Sequence, residues 1–334
     1  MHSFETKWNF LWIVPTSIFF YCFIVLKTNL KINENANVFT SAPPKFILAK
    51  KQKSIKKVIV IEGVGLHTGN NVSMTLRPAP INTGYVFRIT KANKKIKLKA
   101  DFRNVKSTQL CTLLSDKQGN TISTVEHILS ACYGLEIDNI FIDLDSNEIP
   151  VCDGSSYEFV KKLESSGFDE QSEFKNFVRI KKVIEVKDGC KIARVSPFEQ
   201  TMISCEINYD HELIGKQSIS LILTPDIYKS QICNARTFGF LKDVEKLRSM
   251  KLALGGSLKN AVVLDDTKIL NEDGLRFSDE FVRHKVLDFI GDLSLSGFRM
   301  LGSFYTSHSG HSLNNILLNK IFESKENWEL VCSN

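Results

Sequence analysis

The segment 279–294, DEFVRHKVLDFIGDLS, constrains the fold of this chain more than any other. Val282, Val286, Phe289, Ile290 and Leu293 fall on one stripe at helical spacing, so the segment is predicted as an amphipathic helix with that stripe against a core. His284, Asp288 and Asp292 recur every four residues on a neighbouring stripe, about opposite the core. His284 and Asp288 could therefore offer two ligands to one metal ion. Taken by itself, the segment reads first as an ordinary solvated face carrying an i,i+4 His/Asp pair.

A second pair, Glu126-His127, shifts that balance. STVEHILSACYGL (123–135) is predicted as a helix capped by Ser123 or Thr124 and ending near Gly134. Adjacent helical residues point about 100° apart, so His127 can bind a metal while Glu126 addresses a water beside it. Two histidines, an aspartate and a water make a common catalytic zinc site with an open position. Neither HExxH nor HxxEH occurs, so the usual zinc-protease motifs are absent. Without a partner site, VEH alone describes a buried structural histidine. His311, in HSGHSLNN, stands at a Gly-flanked helix start and is placed for proton transfer, with Asp292 to orient it. The competing reading is a capping or surface histidine, as for His308 and His211. GVGLHTG (63–69), which carries His67, has no following helix and is no dinucleotide fingerprint, and LGGS (254–257) reads as a turn.

The surrounding pattern is α+β. KKVIVIEGVGLHTGNNVSMTLRPAPINTGYVFRIT reads as three strands joined by Gly and Asn turns, and NIFIDLD as another. After a helix in SSYEFVKKLESSG, strands resume around NFVRIKKVIEVKDGCKIARVSP, joined by Asp188-Gly189, and continue at TMISCEINYD and SISLILT. Helices are predicted at about 225–235, 242–250, 279–294 and 311–323. Two α+β domains, 51–170 and 171–334, divided near 165–173, are the economical organisation. No sequence repeat relates them.

Charge enters because the net is +6. Residues 1–57 hold nine Lys against Glu5 and Glu34, a net of +7, while the remainder has 34 basic and 35 acidic residues. The basicity belongs to a leader, residues 1–50, and gives no evidence of a nucleic-acid partner. The leader has one apolar run, Trp8 to Leu26, at the short end for a membrane span. The lysines after it would leave the body cytoplasmic by the positive-inside bias. Membrane anchor, targeting segment, peripheral attachment at the inner face and a misassigned start all stay open, with no Met between Met1 and Met74. The eight cysteines form no CxxC pair and read as small hydrophobes in a reducing compartment.

GVGLHTG, LRPAPINTG (76–84), STVEHILSA (123–131), DNIFIDLD (138–145), DGSS (153–156), ARTFGF (235–240), LNEDGLRFSDEFVRHKVLDFIGDL (270–293) and SGHSLNN (309–315) occur in order. Together they resemble the UDP-3-O-acyl-N-acetylglucosamine deacetylases, zinc amidases that commit carbohydrate to lipid A in Gram-negative bacteria. The resemblance spans about Lys51 to Val331. It implies zinc ligands at His127, His284 and Asp288, a general base at Glu126, and a general acid at His311 paired with Asp292. It places an oxyanion-stabilising hydroxyl at Thr237, substrate contacts at Lys285 and Phe238, and an additional inhibitory zinc near His67. It also implies two similar two-layer α+β domains with helices between the sheets and the active site at their interface. An insert at about 240–263 would wall an acyl-chain passage, with Leu66, Leu241, Val244, Ala253 and Ala261 against the chain. The expected partner is an acylated UDP-sugar, and the expected state a cytoplasmic monomer. Cys152 replaces the family's Met, and the leader has no counterpart. Two other classes stay in view: a tethered binding protein that has lost catalysis, and a zinc amidase for a different acylated sugar.

Overall fold

The computed structural model describes residues 50–91 and 94–332; the leader and its apolar run lie outside the described residues. Five strands form one sheet in the order Ile59–Val64, Asn71–Pro78, Ile140–Leu144, Tyr85–Lys91, Lys94–Lys99. Only Ile140–Leu144 and Tyr85–Lys91 run parallel. Along Asn71–Pro78, Val72, Met74 and Leu76 are buried while their neighbours are not, the period-two signature of a strand with one face on a core. A seven-stranded sheet is organised around Arg299–Ser307, which pairs with Asn176–Ile180, Lys191–Ser196 and Thr201–Asn208. Ile184–Asp188, Lys216–Ile222 and Trp328–Cys332 complete it.

Among the described residues, five helices of nine residues or more accompany these sheets: α1 (Glu126–Gly134), α2 (Tyr157–Ser166), α3 (Leu241–Ser249), α4 (Glu280–Ser294) and α5 (His311–Phe322). The helix expected at 225–235 is one short turn, Pro225–Ile227, running into a π turn, Tyr228–Ile232. All of α1 is buried, and in α4 only Arg283 and Lys285 escape full burial. The expectation of a solvated stripe on 279–294 is therefore corrected. His284, Asp288 and Asp292 are as buried as the apolar stripe, because α4 carries α1 on the side that faces away from its hydrophobic contacts. The two helices meet at Gly291. A methyl group there would lie 2.1 Å from the carbonyl oxygen of Glu126, so only glycine permits the approach.

Other local expectations shift in register. Neither Ser123 nor Thr124 caps α1: the residue before the helix is Val125, and Thr124, at φ +60°, turns its hydroxyl to Glu148 instead. Asp188 pairs with Lys191, so the hairpin turn is Gly189-Cys190, with φ +57° at the glycine. The stretch 165–173 is not a bare connection. Phe168–Phe174 forms a two-stranded ribbon with Lys51–Ile55, and both strands carry enough polar residues to hide their strand character. Among the described cysteines, Cys111, Cys132, Cys205 and Cys233 are buried free thiols, Cys152 is half-buried and Cys190 is exposed. No helix of the described residues is long and apolar enough to cross a membrane.

Candidate metal centre

α1 and α4 bring His127, His284 and Asp288 together. One ligand atom from each lies within 4.8 Å of the others, and all three residues are buried. Asp288 Oδ1 is 3.4 Å from His284 Nε2 and 3.6 Å from His127 Nε2, too far for hydrogen bonds of ordinary strength. Ligands about 2.0–2.2 Å from a tetrahedral ion stand roughly 3.4 Å from one another, so the spacing suits a shared cation. The His284 tautomer agrees. His284 Nδ1 faces the carbonyl of Ala235 at 3.1 Å, which leaves Nε2 as the ligand atom. Burial pushes the His284 imidazole down to about 3, so it is neutral and its lone pair free. Asp288 stays ionised. Burial opposes its charge, but His284 and Lys285 hold its carboxyl well below the usual range, and Lys285 Nζ bonds Oδ2 at 2.9 Å.

Two further groups flank the ligands. Glu126 opens α1, and burial raises its carboxyl above the ordinary carboxylate value, with His311 and His127 pulling the other way. His311 opens α5. Burial works against its charged form, but Asp292, 2.8 Å from Nδ1, and Glu126 outweigh it and raise the imidazole to about 10. Nε2 of His311 lies 3.9 Å from Glu126 Oε1. Three carboxylates, Glu126, Asp288 and Asp292, gather there against Lys285 and His311, and a divalent cation suits a cluster so rich in oxygen donors.

Residues that the sequence reading missed hold these groups in place. Thr112 donates its hydroxyl to Asp292 and its backbone N–H to Glu126. Ser156 Oγ donates to the carbonyl of His127 at 2.8 Å. Arg236, paired inside the protein with Glu280 at 2.9 Å, fixes the loop that supplies Ala235 and Thr237. Glu148, fully buried, accepts hydrogen bonds from the backbone of His67 and Thr68 and from the hydroxyls of Thr68 and Thr124. None of these had a local signal, because each works through a partner distant in sequence.

Beside the centre opens a largely apolar cavity of about 390 Å³. Leu66, Phe238, Leu241, Val244, Ala253 and Ala261 all line it, with Thr237 and His67. No residue of α3 is fully buried, so its Val244 and Leu247 face this space rather than a core. The wall is closed where LGGS meets GVGLHTG: Leu254 and Gly255 donate to the carbonyls of His67 and Leu66. A methyl on Gly255 would lie 2.2 Å from the Gly65 oxygen, which explains the glycine. Phe238 contacts Phe281 edge-on at 4.9 Å and lies 5.6 Å beneath Lys285 Nζ, linking cavity and centre. His67 stands outside the three-ligand group, and both its ring nitrogens are buried without a partner among the described residues.

Comparison with known proteins places this arrangement. The profile of the UDP-3-O-acyl N-acetylglycosamine deacetylase family matches residues 52–323. The chain is 49% identical over 283 residues to the UDP-3-O-acyl-N-acetylglucosamine deacetylase of Haemophilus influenzae (strain 86-028NP), covering 84% of this chain and 93% of that protein. It is 48% identical to that of Histophilus somni (strain 129Pt) and 47% to that of Pasteurella multocida (strain Pm70), with the same coverage.

Proposed function

The chain belongs to the UDP-3-O-acyl-N-acetylglucosamine deacetylase family, and from that premise we propose how its residues carry out the reaction. The reaction removes the N-acetyl group of UDP-3-O-(3-hydroxyacyl)-N-acetylglucosamine, giving the free amine and acetate, in lipid A biosynthesis. The observation that carries the mechanism is the His127, His284, Asp288 group with Glu126 on one flank and His311 on the other. We assign this group to a single zinc ion. When bound, zinc would polarise the amide carbonyl and lower the pKa of the attacking water.

An amide is a weak electrophile with a poor leaving group, so the protein must remove one proton and deliver another. Glu126 takes the proton from the water, for which burial has raised its basicity. His311, charged at neutral pH because Asp292 supports it, gives a proton to the departing glucosamine nitrogen. The C–N bond breaks as that nitrogen is protonated, and acetate leaves. Thr237, at the edge of the cavity beside the centre, donates its hydroxyl to the developing oxyanion. Lys285 and Phe238 contact the substrate next to the centre, and the apolar cavity receives the 3-O-acyl chain. The domain division near residue 170 belongs to the same reading, the five-stranded sheet being built from residues before it and the seven-stranded sheet from residues after it.

The test is acetate release from UDP-3-O-acyl-N-acetylglucosamine with and without a chelator. Release should stop on chelation and return with one equivalent of Zn²⁺. Chelator-resistant release would sink the metal assignment, and metal binding without release would favour a binding protein or a different acylated sugar.

A further inference from the structure

The two proton-transfer groups come from different helices, α1 and α5, yet one residue outside both touches the supports of each. Thr112 precedes the short strand Leu113–Ser115 and is 1% exposed. Its carbonyl accepts from the N–H of Val125, the residue before α1, at 3.5 Å. Its own N–H donates to Glu126 Oε2 at 3.1 Å. Its hydroxyl donates to Asp292 Oδ1 at 2.7 Å. Asp292 in turn spends Oδ2 on His311 Nδ1 and Asn314 Nδ2, both at 2.8 Å, so Thr112 is the donor that Oδ1 receives.

We propose that Thr112 is a positioning residue for the reaction, setting the orientation of the proton acceptor Glu126 relative to the proton donor His311. The proposal rests on the acid and base roles assigned above. The physical argument concerns angles. A carboxylate held by a donor on only one oxygen can swing about its Cβ–Cγ bond, whereas one held on both oxygens is fixed in plane and direction. With Thr112 on Oδ1, Asp292 presents Oδ2 to His311 in one orientation, and the imidazole must point Nε2 into the space that Glu126 borders. The backbone donor does the same for Glu126: Oε2 is pinned, and Oε1 is the oxygen left toward His311. A threonine serves where a serine would be freer, because its branched side chain restricts the hydroxyl rotor.

The experiment compares Thr112→Val with Thr112→Ser in the full chain. Valine keeps the shape and the backbone N–H but removes the donor to Asp292; serine restores it. Turnover of Thr112→Val should fall about 10- to 100-fold, the worth of a hydrogen bond to a charged group. KM and metal stoichiometry should stay within twofold, and Thr112→Ser should recover most of the loss. Turnover of Thr112→Val within twofold of wild type would overturn the proposal. So would a loss accompanied by loss of metal or left unrescued by serine, since that describes general damage. The downfield Nδ1–H proton resonance of His311, identified by its disappearance in His311→Gln, supplies a readout independent of catalysis. It should move in Thr112→Val and return in Thr112→Ser. If wild-type protein released no acetate, the acid and base roles would fail, and an unmoved resonance would separately refute the role of Thr112.

Discussion

Buried charge gathers at both ends of α1, and the two clusters are built on opposite rules. Past the C-terminal end, Lys50 bonds Glu136 at 2.8 Å, and Lys175, almost fully buried, bonds both Asp138 and the Glu136 carbonyl. Each of these carboxylates meets a cation, and the Arg299 guanidinium covers the Tyr133 ring at 4.1 Å. At the N-terminal end, among the described residues, Glu126, Asp288 and Asp292 face Lys285 and His311 as cations, and the ring nitrogens of His127 and His284 stand 3.4–3.6 Å from an Asp288 oxygen without bonding it. In the first cluster each carboxylate is answered by a cation, although Arg299 Nη2 is left without a partner among the described residues; the second gathers two histidines and a carboxylate at the spacing of a shared ion. Burial, ionisable residues and an unpartnered polar atom are common to both, so they do not mark the site; two histidine nitrogens and a carboxylate at ligand spacing do.

The largest effect that could break this contrast comes from Glu126. Glu126→Gln should lower turnover by about 10²–10⁴-fold, with metal content and thermal midpoint close to wild type, because the raised carboxyl contributes little to folding. A turnover near normal would mean that the unpaired acid is structural after all.

A substitution that leaves both clusters intact calibrates the comparison. Enlarging Ala253 or Ala261 to Phe should lower kcat/KM for long-chain substrates by about 10-fold or more relative to short ones. Chain-length preference unchanged in both variants would remove the acyl chain from the cavity.

The smallest effect belongs to the cluster past the C-terminal end of α1. Burial disfavours the charge on Glu136, yet Arg299, Lys50 and Lys175 hold its carboxyl down to about 2, against an ordinary 4.5. A folded-state pKa below the unfolded one stabilises fully above about pH 4.5 and is lost as the pH falls toward 2. Glu136→Gln should therefore cost about 1–3 kcal/mol at pH 7, flatten the dependence of stability on pH across that window, and leave turnover within twofold. An undiminished slope in urea unfolding between pH 4.5 and 3 would show that other carboxylates carry it.

The contrast also explains what the sequence reveals. His284 and Asp288 are legible because helical periodicity puts them on one stripe, and Glu126-His127 because two adjacent helical positions address neighbouring directions. The α+β class, the major strands and the helices over 126–134, 280–294 and 311–322 follow from local pattern. Burial of the His/Asp stripe was not legible, since the covering surface is α1, more than a hundred residues earlier. Thr112, Glu148 and the Arg236–Glu280 pair were equally hidden: a lone threonine in a loop, or a carboxylate answered by backbone N–H groups, has no spacing to read. The ribbon of 51–55 and 168–174 escaped notice for a different reason, its polar composition.

The glycine where α1 and α4 touch has a consequence for the life of the molecule. Because His127 sits on α1 and His284 and Asp288 on α4, far apart in the chain, a partly folded species without the α1–α4 contact cannot bring the three together. The centre exists only once α1 and α4 have packed against each other. On the proposed assignment, ion binding would latch the finished fold, and its free energy would add to the stability of the whole protein. Scarcity of the ion would be felt twice, as slower catalysis and as faster proteolytic clearance of unlatched chains.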